Sequence, residues 1–117
     1  MQDTLPKEFD SPSIENVRTY TNGYLFNLKG LQTKIGLILT VNPKGGFNYY
    51  MTHAICTQTQ RGPYLEDQPW GEDLSSALHI ALSSLTSYYE DALGRGYEAS
   101  ENWLIPNVWG EAVWKFF

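Results

Sequence analysis

The sequence predicts an α+β fold: an antiparallel sheet of three to five strands with one long amphipathic helix packed on one face. Three observations lead there. β-prone runs recur between residues 17 and 57, set apart by short turn sequences. No helical pattern interrupts them, so successive strands pair antiparallel. After residue 72 a single long run places alanine and leucine at three- and four-residue spacing.

The elements follow in order. Residues 1–13 are polar, acidic and proline-containing and read as a loose N-terminal arm; residues 14–117 form the single α+β domain. "VRTYTNGYLFNLKG" sets Asn22-Gly23 between two β-prone runs, the residues of a type I′ hairpin turn. In "TKIGLILTV" the alternation puts Ile35, Leu37, Leu39 and Val41 on one face and Gly36, Ile38 and Thr40 on the other. "NPKGG" is a turn by composition. "GGFNYYMTH" then begins a strand that runs towards Thr57. Phe47, Tyr49, Met51, His53 and Ile55 share its core face, and Tyr50 is the one large side chain on the other.

Residues 57–71 break the pattern with Gly62-Pro63, Pro69 and Gly71, and read as an ordered excursion or a lid. In the helix that follows, Leu74, Ala77, Leu78, Ala81, Leu85, Tyr88 and Ala92 form the apolar stripe; Ile80, Leu82, Tyr89 and Leu93 widen it. Glu72 and Asp73 suit its positive end, and Gly94 or Gly96 its stop. A tail rich in tryptophan closes the chain.

Charge is distributed unevenly. Residues 16–65 carry Arg18, Lys29, Lys34, Lys44 and Arg61 and no acid, whereas the chain as a whole has a net charge of −5. A basic middle between acidic ends suits a bipolar surface, although a strand-and-helix division of charged residues produces the same pattern. No apolar run approaches the roughly 20 residues of a membrane span. The N-terminus lacks the basic start and apolar run of a signal peptide, and the single cysteine, Cys56, has no internal partner. A cytoplasmic location without membrane contact is therefore expected.

Several kinds of chemistry lack their residues. His53 and His79 stand in no metal-ligand spacing. His53 and Cys56, three apart on a regular strand, point to opposite faces. The acid-free middle supplies no carboxylates for a two-metal nuclease. Neither a P-loop nor a GxGxxG stretch is present, so no cofactor is implied. The expectation is a protein that is not an enzyme.

What remains is aromatic surface. Trp103, Trp109, Trp114, Phe116 and Phe117 crowd the tail, and Tyr64 and Trp70 sit in the 57–71 loop. Aromatic side chains carry much of the energy of protein interfaces, so these seven are the candidate contacts to a protein partner or to a second copy in a homodimer. The competing expectation is that the tail seals the domain's own core. A single-stranded nucleic acid is the alternative partner, through Arg18, Lys44, Tyr50 and Arg61 on a basic aromatic sheet. A further alternative is a mobile-element inhibitor of a host system that uses its acidic surface as a phosphate mimic.

"IGLILTV", then "GGFNYYMTH", then the helix from Glu72 to Pro106 resembles the HicB family of bacterial antitoxins and its small stand-alone relatives over about residues 33–106. The matching positions are Ala77, Ala81, Leu85, Tyr88 or Tyr89, Gly96 and Pro106. The family's aspartate–leucine–proline–glycine–cysteine stretch is replaced here by "ICTQTQRGPYLEDQPW", and no DNA-binding region follows the helix. The resemblance implies a degenerate RNase-H-like fold without the nuclease carboxylates. It also implies a regulatory role in a toxin–antitoxin pair, exerted through protein–protein contacts.

Overall fold

The computed structural model describes residues 5–66 and 68–117. It is α+β. Strands β1 (Ile14–Tyr20), β2 (Gly23–Leu28), β3 (Ile35–Val41), β4 (Phe47–Met51) and β6 (Trp70–Gly71) form one antiparallel sheet in the order β1-β2-β3-β4-β6. Strands β5 (His53–Ile55) and β7 (Leu104–Pro106) pair separately as a small second sheet. The long helix α1 (Leu74–Gly94) packs on one face of the main sheet, and the short helix α2 (Gly110–Trp114) packs on the other.

The core lies between α1 and the sheet. Phe26, Leu28, Ile35, Leu37, Tyr49 and Met51 meet Ala77, Leu78, Ala81, Leu82, Leu85, Tyr89 and Ala92 there. The β3–β4 register explains the alternation, because Leu37 stands opposite Met51 and Leu39 opposite Tyr49. The helix stripe is turned slightly from the expected one. Leu74 is exposed and Tyr88 half-buried, while Leu82 and Tyr89 are buried. Tyr89 earns its place by donating its hydroxyl to the Lys29 carbonyl and by packing edge-on against Trp103. Asp73, not Glu72, caps the helix, accepting the Ser76 amide at 2.7 Å. Gly71 sits where a Cβ would lie 2.3 Å from the Ala77 nitrogen, so only glycine lets β6 run into the helix at this distance.

The first hairpin differs from its sequence reading. Tyr20 pairs with Gly23, so the loop is Thr21-Asn22, and neither Asn22 nor Gly23 has a positive φ. Gly23 serves strand approach instead, because a Cβ there would stand 2.3 Å from the Leu37 carbonyl oxygen of β3. The left-handed residue is Asn16 (φ 57°), at a bulge in β1 between Glu15 and Arg18. Asparagine tolerates that conformation better than most side chains.

The expected loose arm is docked along its later part; residues 1–4 lie outside the described residues. A 3-10 turn at Lys7–Phe9 delivers Phe9 into the core, its ring 4.6 Å from that of Tyr24. The Ser13 hydroxyl then donates to Glu90 of α1 at 2.7 Å. Burial of the Phe9 ring, worth about 1.5–3 kcal/mol, and the hydrogen bonds Ser13–Glu90 and Ser75–Glu8 together tie the segment to the domain.

The strand beginning at Phe47 does not continue to Thr57. It breaks at Thr52, which is fully buried. The Thr52 amide still donates to the Gly36 carbonyl, but its own carbonyl accepts from Asn107, after β7. The chain thus leaves the main sheet for the small one. Ala54 and Ile55 are both buried, which ends the period-2 pattern, and His53 is half-buried rather than part of the core layer under α1.

Candidate functional site

The break at Thr52 opens a cleft. Pro106 ends β7, and the Gly110 amide donates to the Asn107 carbonyl at 2.9 Å, a turn that pushes Val108 and Trp109 outwards. Gly110 lies against the Thr52 backbone, so this turn is held close to the β4–β5 junction. Across from it stands the 57–71 loop. Its Thr57 and Gln60 side chains tie it together internally, and its Tyr64 amide donates to the Ile55 carbonyl at 3.2 Å. The Tyr64 ring packs 5.3 Å from Tyr88 of α1. Asp67, also in this loop, lies outside the described residues.

Between the two segments is a cavity of about 340 Å³. Tyr49, Tyr50, Met51, His53 and Ala54 form its floor; Tyr64, Leu65, Glu66 and Pro69 form one wall; and Val108 and Trp109 form the other, with Ser84 and Asn107. Its size falls in the range of ordinary ligand pockets. The rim is apolar and open: Val108 is 88% exposed, Leu65 63% and Trp109 60%.

Several residues with polar side chains border this space. The Tyr49 hydroxyl is buried and has no hydrogen-bond partner among the described residues. Burial, then the nearby Glu66 carboxylate and Tyr64, hold this phenol far above its usual range, so it stays protonated. Glu66 accepts from the Tyr64 hydroxyl at 2.7 Å. His53 shares a 2.7 Å hydrogen bond between its Nδ1 and the Thr52 hydroxyl, and burial lowers its pKa, favouring neutral imidazole. The Ser84 hydroxyl donates to the Ala81 carbonyl at 2.6 Å. These groups suit recognition by hydrogen bonding. No cluster of three or more His, Cys, Asp or Glu side chains placed to hold a metal occurs among the described residues.

The structure brings together two of the aromatic residues singled out from the sequence, Tyr64 and Trp109, and disperses the others. Trp103 is buried against Tyr89 in the main core. Phe117 lies on the far face of the sheet, 5.0 Å from Tyr20 and 6.1 Å from Trp114, and its ring covers Gly36. Trp103 and Val113 are thus part of the domain's own core, and Phe117 is partly covered. Trp114 and Phe116 keep exposed surface at its edge. Trp70 anchors the β3–β4 turn, its indole N–H donating to the Gly45 carbonyl at 2.9 Å with the ring over Gly46.

The basic set is not brought together. Arg18 lies on the edge strand β1, Lys44 in the β3–β4 turn and Arg61 in the 57–71 loop, whereas Tyr50 faces the cleft. Between β1 and β4 the sheet face carrying Tyr50 is occupied by Phe117 and α2. Tyr49, His53, Leu65, Glu66 and Val108 are cleft residues that sequence reasoning did not place there. Strand alternation places Tyr49 in the core, where it is buried while also bordering the cavity; His53, which follows the break at Thr52, leaves the core layer for the cavity.

Among the described residues no helix is long and apolar enough to cross a membrane. Comparison with family models, with curated proteins and with solved structures finds no match.

Proposed function

We propose that this chain is a non-catalytic binding protein that acts through protein–protein contacts at the cleft between the 57–71 loop and the Asn107–Gly110 turn. The observation that carries this reading is the shared rim of Leu65, Val108 and Trp109, three large apolar side chains more than half exposed around one cavity. An exposed tryptophan beside a concave apolar surface is the usual anchor of a protein interface. The resemblance to the antitoxin family supports a regulatory version of this role, with a small toxin as the partner. A second copy of the chain is the simplest other partner.

Sedimentation velocity across a wide concentration range tests self-association. Co-purification with the product of an adjacent reading frame tests the antitoxin version. In either assay Trp109→Ala abolishes the complex while leaving the fold intact. Complexes that form equally well with Trp109→Ala overturn the assignment of this cleft.

A further inference from the structure

The bulge in β1 decides which face of the sheet Arg18 occupies. Glu15 pairs with Asn27, and a regular ladder from there would put Val17 opposite Leu25 and Arg18 opposite Tyr24. Tyr24 packs against the core beneath α1. The extra residue at the bulge instead sets Arg18 opposite Leu25, which turns its side chain to the face away from α1.

On that face Arg18 lines an open pocket of about 350 Å³ with Asn16, Val17, Asn27, Gln32 and Lys34. Two cations from different segments thus share one pocket, and no carboxylate lines it. Neither cation has an ion-pair partner among the described residues, where the one ion pair is Arg95–Asp91. The acids on adjoining segments are engaged with backbone amides: Glu15 accepts from Gly30 at 3.1 Å, and Glu101 accepts from Gln32 and Thr33. Asn27 is buried, and its Nδ2 donates to the Leu31 carbonyl at 2.9 Å, which fixes the base of the pocket. Two like charges held side by side without a counterion repel, and a bound anion removes that cost.

The lining also narrows the anion. Guanidinium, ammonium and the side-chain amides of Asn16 and Gln32 all offer N–H groups. A carboxylate balances one of the two cations, whereas a phosphate monoester, with nearly two negative charges at neutral pH, balances both. Its oxygens can take the two-pronged Arg18 fork and still leave one for Lys34. We propose that this pocket binds a phosphate monoester group, clasped between Arg18 and Lys34. The pocket shares no residue with the cleft, so it stands or falls apart from the protein-binding reading.

The test is an NMR titration of the isotope-labelled full chain, followed at the backbone amide signals of Asn16, Val17 and Gln32. The probes are inorganic phosphate, acetate, uridine monophosphate and a short peptide with one phosphoserine, all at constant ionic strength. Inorganic phosphate is expected to give saturable shifts, and acetate to bind about tenfold more weakly. Arg18→Gln is expected to weaken phosphate binding about tenfold and Lys34→Gln about threefold, the range for a forked and a single charged contact at an exposed site. Both residues are exposed, so both variants stay folded. Lys44→Gln removes the same charge in the β3–β4 turn and is expected to leave binding unchanged.

No saturable shift with phosphate, equal binding of acetate and phosphate, or undiminished binding by Arg18→Gln would overturn the proposal. So would an equal loss in Lys44→Gln, because that marks net charge and not a site. The tighter of the nucleotide and the phosphopeptide identifies the source of the group. If neither exceeds inorganic phosphate, the site stands and its ligand is the free ion.

Discussion

The Gly36 amide donates to the Thr52 hydroxyl at 2.9 Å, and the Thr52 amide donates to the Gly36 carbonyl at 3.0 Å. This reciprocal pair fastens the end of β4 to β3 at the point where the chain leaves the main sheet. The same hydroxyl reaches His53 Nδ1, so one buried side chain links the sheet to the cleft. Thr52→Val keeps the shape and removes the acceptor. It should lower stability by about 1–3 kcal/mol, because the Gly36 amide is left buried and unpaired. Thr52→Ser should recover most of the loss in urea denaturation.

Tyr49→Phe should behave in the opposite way. Its hydroxyl is buried with no partner among the described residues, so removing it leaves stability unchanged or raises it by up to about 1 kcal/mol. The urea midpoint measures this. A clear loss of stability would mean that the hydroxyl has a partner within the domain.

Two tail residues five positions or fewer apart should separate surface from core. Val113 is fully buried whereas Trp109 is mostly exposed. Val113→Ala should cost about 2 kcal/mol. Trp109→Ala should stay within about 0.5 kcal/mol of the parent. By the same reasoning, deletion of residues 108–117 should destabilise the domain, since it removes Val113 and Phe117 along with Trp109.

Glu101 fastens the β2–β3 connection. Its carboxylate accepts the Gln32 amide at 2.6 Å, the Thr33 amide at 3.1 Å and the Thr33 hydroxyl at 2.5 Å. The Thr33 hydroxyl first, and then the Gln32 amide, lower its pKa. A carboxyl more acidic when folded adds stability above its unfolded pKa, and that stability is lost as pH falls through the lower folded value. Glu101→Gln should therefore be less stable than the parent at pH 7. The gap should close in strong acid, as read from urea midpoints at each pH.

His53 gives a second pH dependence in another window. Burial lowers its pKa, so the unfolded chain takes up this proton before the folded one. Above the ordinary histidine value both states are neutral and the residue contributes no pH dependence. As pH falls from there to the lower folded value, stability should decline. His53→Gln should flatten this part of the profile in thermal melts at pH 5 and pH 7.5.

Periodicity was enough to read the helix and the main strands. Leu78, Ala81 and Leu85 repeat at helical spacing whatever they pack against, and Leu37 and Tyr49 alternate as any strand with one buried face must. The turn at Thr21-Asn22 was misread because glycine is needed both for turns and for close strand approach, and Gly23 does the second. The candidate site was half legible. Tyr64 and Trp109 stood out as aromatic residues in loop-like sequence, but they are 45 positions apart and nothing local pairs them.

By itself, then, the sequence determined the α+β class, the single long helix and its apolar stripe, because these follow from local spacing and burial on one face. Tertiary structure decided where the main strand stops, which tryptophans are core and which are surface, and that the loop and tail enclose one cleft. Those outcomes rest on contacts between distant segments, such as the Asn107 amide on the Thr52 carbonyl, whose geometry no neighbouring residue encodes.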